Sequence, residues 1–210
     1  MPRRCKLWLV GSITAAALML ACGAASANSL SISGAFNARS FYIAWNLVQF
    51  GEDAGSVECP MSLQGTFHET TLGKSGGALI GHIVGHTLDG EACEGGDVTI
   101  LSATLPWHVQ YEFFSGTLPN ISEIGVDVVG MAVGIRTGIF FSCLATTTSL
   151  SPMVLRLARN IESGTISAVI LDPDEQIPLS GTFCPEHGTI SGVGEATITG
   201  TERRIVVSLI

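Results

Sequence analysis

The hydrophobic pattern changes character near residue 28. Leu7 to Ala21 is an uncharged, mostly apolar run, and everything after it is short apolar stretches broken by glycine and proline. Val, Ile, Thr and Phe dominate those stretches, the residue types that suit a pleated, half-buried surface. Trp107–Phe113 alternates strictly, with Trp107, Val109, Tyr111 and Phe113 on one side and His108, Gln110 and Glu112 on the other. That alternation predicts an antiparallel strand with one face in the core. Asp97–Ala103 predicts another strand, ended by Leu105-Pro106. Further strands are predicted at Ser29–Ala35, Phe41–Phe50, Ser62–Phe67, Ala78–Leu88, Gly138–Ala145, Val154–Ala158, Thr165–Leu171, Thr189–Thr199 and Arg204–Leu209. Phe41–Phe50 also fits a helix, because Phe41, Trp45 and Val48 share a helical face. Along Ile124–Ile135 the apolar positions keep one phase through Val128 and the other from Val129, which predicts a β-bulge near Val128–Gly130.

Many short strands without alternating helices predict an all-β chain, an antiparallel β-sandwich or a closed β-barrel. Leu63–Phe67 (LQGTF) echoes Leu179–Phe183 (LSGTF), each near a Cys-Pro pair, the kind of echo a duplicated half would leave. No fixed period accompanies it.

The first residues add a compartment. Arg3, Arg4 and Lys6 precede the apolar run, and Ala25-Ser26-Ala27 is an A-x-A site. Residues 1–27 therefore read as a signal peptide cleaved between Ala27 and Asn28, and 28–210 as a single β-rich extracytoplasmic domain, secreted or held at the cell surface. The apolar run is shorter than the ~20 residues of a spanning helix. Met19–Cys22 offers a minor alternative, a lipid anchor through Cys22. Losing Arg3, Arg4 and Lys6 takes the formal charge from −8 to −11. So acidic a surface disfavours nucleic acid and anionic lipid as partners, and no later stretch is long and apolar enough to span a membrane.

Cys5 and Cys22 leave with the leader, so Cys59, Cys93, Cys143 and Cys184 remain. An even set in an exported chain predicts two disulfides. Of three pairings, Cys59–Cys93 with Cys143–Cys184 suits neighbouring strands best. Zinc fits poorly, because no C-x-x-C pair exists.

Candidate chemistry is sparse. Gly73-Lys74-Ser75 resembles the end of a phosphate loop but lacks its first glycine. His82 and His86 share one face of a strand, too far apart for one metal without a further element, and read as solvent-facing or hydrogen-bonded. The acidic stretches Asp89–Asp97 and Asp172–Glu175 read as solvated loops rather than calcium sites. His108 and Glu112 share a strand face but lie some ~13 Å apart at a rise of ~3.3 Å per residue. There is no G-x-S-x-G elbow, and neither cofactor nor metal is expected. Trp45, Trp107 and Tyr111 are the candidate binding residues, as a possible aromatic platform set against a prior that alternating positions place them in the core. These readings favour a non-enzymatic binding or surface-interaction module with a cell-envelope glycan or protein as partner. The alternative is an extracellular hydrolase using convergent carboxylates, which have no sequence spacing.

Cys59-Pro60, the run ending at His68, Cys93 with Gly95-Gly96, and above all Thr104–His108, Tyr111, Phe114, Gly116, Leu118, Pro119 and Ile121 follow a TLPWH-x-x-Y-x-x-F-x-G-x-L-P-x-I pattern. In this the chain resembles a family of exported proteins from high-GC Gram-positive soil bacteria. The resemblance implies export and adds no chemistry.

Overall fold

The computed structural model describes residues 29–33, 39–52, 55–88, 93–117, 120–138 and 141–209. Predicted features at the leader, the cleavage site Ala27/Asn28, and Asp89 and Glu91 lie outside them. The chain is all-β, and the barrel alternative holds in a doubled form: two antiparallel barrels share three long strands.

Those strands are β2 (Ser40–Glu52), β3 (Gly55–Phe67) and β14 (His187–Ile198). Among the described residues the remaining nine strands of the two barrels are β5 (Leu79–Leu88), β6 (Gly96–Ile100), β7 (Trp107–Thr117), β8 (Asn120–Val129), β9 (Ala132–Thr137), β10 (Phe141–Thr146), β11 (Met153–Arg159), β12 (Ile166–Leu171) and β13 (Gln176–Thr182). The first barrel runs β14-β2-β3-β5-β7-β8-β11-β12 and closes where Val169–Leu171 pair with Gly192–Gly194. The second runs β3-β2-β14-β13-β10-β9-β6. It returns to its start where the backbones of Glu58 and Glu94 exchange hydrogen bonds of 2.9 and 2.8 Å. Gly95 sits at φ +87° at this closure, and a Cβ there would lie 2.4 Å from the Ser56 carbonyl oxygen, so only glycine fits. Because the barrels share strands, they are not two copies of one unit. The LQGTF segment lies within β3, whereas LSGTF ends β13 and runs into the turn after it, a different setting.

Paired bulges move the shared strands from one barrel to the other. In β2, Phe41, Ile43 and Trp45 are buried, then the register shifts between Trp45 and Val48, and Val48 and Phe50 are buried on the new phase. The slip reproduces the spacing that also suits a helix, but the segment is strand. A second phase change has another origin. The bulge expected near Val128–Gly130 is instead the end of β8: Gly130, at φ +90°, turns the chain out of the first barrel and into β9 of the second.

A small sheet, β15-β1-β4, joins β1 (Ser29–Ser33) to β15 (Val206–Leu209) and β4 (Thr71–Gly73). It sets Leu30, Ile32, Leu72 and Val207 against one end of the first barrel. Disulfides join Cys59 to Cys93 and Cys143 to Cys184, as the local pairing predicts, with Cα atoms 4.3 and 5.6 Å apart. Both staple the second barrel, the first beside the Glu58–Glu94 closure. Among the described residues no helix is long and apolar enough to cross a membrane.

Candidate functional site

Three places concentrate chemistry, and all three lie on the first barrel or at its junction with the second. The first is the lumen, whose wall is wholly apolar and includes Phe41, Ile83, Tyr111, Ile124, Leu155 and Ala196. The cavity measures about 50 Å³. Sites for drug-sized ligands run to about 300–1,000 Å³, so the closed barrel holds a packing void rather than room for such a molecule. With no polar group on its wall, the void gives water nothing to bond to.

The aromatic candidates belong to these interiors. Trp45, Trp107 and Tyr111 are 2, 0 and 3 % exposed, so they form no surface platform, and alternation on their strands is core alternation. Each indole finds an acceptor: Trp45 Nε1 donates to the Val169 carbonyl oxygen at 3.2 Å and Trp107 Nε1 to Thr104 Oγ1 at 2.8 Å. Thr104 Oγ1 in turn donates to the Leu101 carbonyl oxygen at 2.8 Å. The Thr104–His108 run is thus the crossing from β6 to β7, with Trp107 as its buried anchor. Phe113 leaves the phase of Tyr111 at a bulge and lies half-buried, near Gly125 and beneath the Arg156 guanidinium.

The second place is a row of histidines across the outer wall. His82 on β5 pairs with Thr66 of β3 and with His108 of β7, and His68 follows β3 immediately. Ring centroids lie 4.6 Å apart for His68–His82 and 5.1 Å for His82–His108. The further elements that a lone strand lacks are therefore present, but the rings meet edge-on and tilted. Among the described residues no group of three or more His, Cys, Asp or Glu is arranged to hold a metal ion. Burial first, then the facing His68 and His108, hold the His82 imidazole below its ordinary pKa. His86 stands apart from the row. Its ring stacks parallel to Trp107, its Nε2 shares a 2.9 Å hydrogen bond with Ser102 Oγ, and burial lowers its pKa.

The third place is a carboxylate cluster on β7, β8 and the β12–β13 loop. Burial, then Asp127 and Glu175, push the Glu112 carboxyl up, against a downward pull from Arg156. Burial and Glu175 push Asp127 up as well, and its Oδ1 is buried without a hydrogen-bond partner among the described residues. Asp172, 5 % exposed, is bonded by the Arg156 guanidinium, which also lies 3.6 Å from Glu123. Asp172–Glu175 is thus a folded, ion-paired turn rather than a solvated loop. His108 turns to His82, and Glu112 to Asp127 and Glu175, so these two sequence candidates do not form a pair.

Lys74 of the Gly73-Lys74-Ser75 turn lies 5.4 Å from the Phe114 ring centroid, a surface cation–π contact. One residue escaped the sequence reading. Phe183, at the β13–β14 tip beside Cys184, is 71 % exposed and the non-glycine residue with positive φ, 61°, among those described. Its sequence signal was an aromatic flanked by a disulfide cysteine within a turn, Thr182-Phe183-Cys184-Pro185. Comparison of the chain with protein-family models, with curated proteins and with solved structures found no match.

Proposed function

We propose that this protein is an exported, non-enzymatic binding module whose contact element is the Phe183 tip. Export is supported by the leader pattern and by two disulfides, which persist in oxidising compartments. The family resemblance points the same way. The observation that carries the binding reading is Phe183 itself: a large aromatic, 71 % exposed, in a backbone conformation that costs a bulky residue about 1–3 kcal/mol. The neighbouring Cys184–Cys143 bridge ties this tip to β10. A rigid exposed aromatic loses little entropy on binding and is a common anchor of interfaces. The partner class is a cell-envelope glycan or protein. Co-sedimentation of the mature protein with insoluble cell-wall glycan, and its capture on immobilised envelope proteins, test the reading. Phe183→Ala is expected to weaken binding at least about tenfold with unchanged thermal stability. Equal binding by wild type and variant refutes the tip as the contact.

A second reading, a hydrolase using convergent carboxylates, draws on one observation. Glu112 and Asp127 are both pushed up, the condition under which one carboxyl can act as an acid beside an ionised neighbour. Release of reducing ends from the same glycan, lost in Glu112→Gln, decides for it.

A further inference from the structure

We propose that the first barrel is an acid-sensitive element: protonation of the His68–His82–His108 row loosens the β3–β5–β7 wall while the disulfide-stapled second barrel stays closed. The reading is independent of the Phe183 tip. Both disulfides lie in the second barrel, whereas the first encloses the 50 Å³ void and carries the histidine row on its wall.

Three imidazoles meet along the β3–β5–β7 wall, His68 edge-on to His82 and His82 tilted against His108. Positive charge that acid places on this row sits at ring centres only 4.6 and 5.1 Å apart. The groups facing His82 do not offset that charge. From the β3 side come Thr66 and His68, and the Arg39 guanidinium donates to the His68 carbonyl oxygen at 2.9 Å, adding a cation at that end. Glu69 follows His68 and is exposed to solvent. From the β7 side comes His108, with uncharged Gln110 opposite Leu79. On β5 itself the next titratable group is His86, engaged with Trp107 and Ser102. The charges acting on His82 are those of His68 and His108, and both disfavour its protonated form.

The sign follows. A histidine whose folded pKa lies below its unfolded value binds fewer protons folded than unfolded, so stability is full above about pH 6.5 and declines as pH falls from there. Glu112 and Asp127 act oppositely. Raised carboxyls are strained at neutral pH, and acid relieves them. They lie on β7 and β8, so the test must separate the two sets. Behind the row, the inner faces of the same strands supply Phe67, Ile80, Ile83, Val109 and Tyr111 to the lumen, and opening the wall exposes that apolar surface.

The experiment is amide hydrogen exchange on the oxidised mature chain at about pH 7.5 and about pH 5, with rates corrected for intrinsic exchange. Two like-charged pairs near 5 Å, even screened as in bulk water, shift an opening equilibrium on the order of tenfold. Loss of protection of that size is expected in β5 and β7 at the lower pH, with β10 and β13 unchanged. His82→Gln abolishes it, and His108→Gln, at an exposed position that tolerates substitution, reduces it. Raising salt to about 1 M, where the Debye length is ~3 Å, shrinks the wild-type response. An equal loss in both barrels, or an undiminished response in both variants, overturns the proposal. Should His82→Gln fail to fold, the His108→Gln result alone decides.

Discussion

Breaking the Arg156–Asp172 pair from its two ends should cost very different amounts. The Asp172 side chain is 4 % exposed and the Arg156 side chain 39 %, so the pair is a buried anion reached by a half-exposed cation. Arg156→Met removes the cation and strands a buried carboxylate. Leaving such a charge uncompensated costs about 3–5 kcal/mol. The variant also takes away the cation acting on Glu112 and the 3.6 Å partner of Glu123, so the higher end of that range applies. Asp172→Asn leaves a cation that can turn to water and to Glu123, and exposed ion pairs are worth at most about 1 kcal/mol. The Asn oxygen can still accept the 3.1 Å hydrogen bond from the Asp174 amide, so the loss is about 1–2 kcal/mol, the difference between a charged and a neutral acceptor.

The assay is urea unfolding of the oxidised protein, comparing midpoints at constant slope. Arg156→Met should lose at least about twice the stability lost by Asp172→Asn. The double variant should fall below the sum of the two, because residues in one ion pair couple. A larger loss for Asp172→Asn, or additive losses, would show that Asp172 is not held by Arg156 and refute the reasoning.

Three further expectations follow from the same geometry. Ala196→Val adds two methyl groups to the void and is expected to gain up to about 1 kcal/mol, or roughly 2–4 °C in Tm for a chain of this size, and calorimetry checks it. Glu112→Gln relieves a raised carboxyl, so it should stabilise near pH 7 and lose that advantage as pH falls through the carboxylate range; a constant difference across pH would contradict the cluster. Replacing Cys143 and Cys184 with Ala should cost about 2–4 kcal/mol, with hydrogen-exchange protection lost first in β10 and β13.

The elements were legible in the sequence where alternation was uninterrupted. Trp107, Val109 and Tyr111 declare a strand and its buried face, and both cystine pairings follow from neighbouring strands. What the sequence hid came from the shared strands. A chain that serves two barrels must change face part-way along, and a face change reads either as a helix, at Phe41–Phe50, or as a bulge, at Ile124–Ile135. Only pairing partners tell these apart. β4 and β13 were missed for a different reason: β4 is three residues long, and β13 carries Pro178 and Gly181, which read as turn. The site was less legible still. His68, His82 and His108 are 14 and 26 residues apart, brought together by the β3–β5–β7 registers, and Glu112, Asp127 and Glu175 likewise meet only across strands.

The two barrels are held shut by different physics, which explains where the cystines are. The first closes through a run of strand pairing between β12 and β14, and its lumen side chains form a continuous apolar core. The second has a bridge at Glu58–Glu94 where the first has a ladder, so its closure is entropically costly for few hydrogen bonds. A covalent link at Cys59–Cys93, one residue from that bridge on each chain segment, removes most of the cost by holding the ends together in the unfolded chain as well. Reduction should therefore open the second barrel and leave the first, while acid should open the first and leave the second. Observing both orders in one protein would tie each closure to its own cause, and a single transition under both treatments would mean that the three shared strands couple the barrels into one cooperative unit.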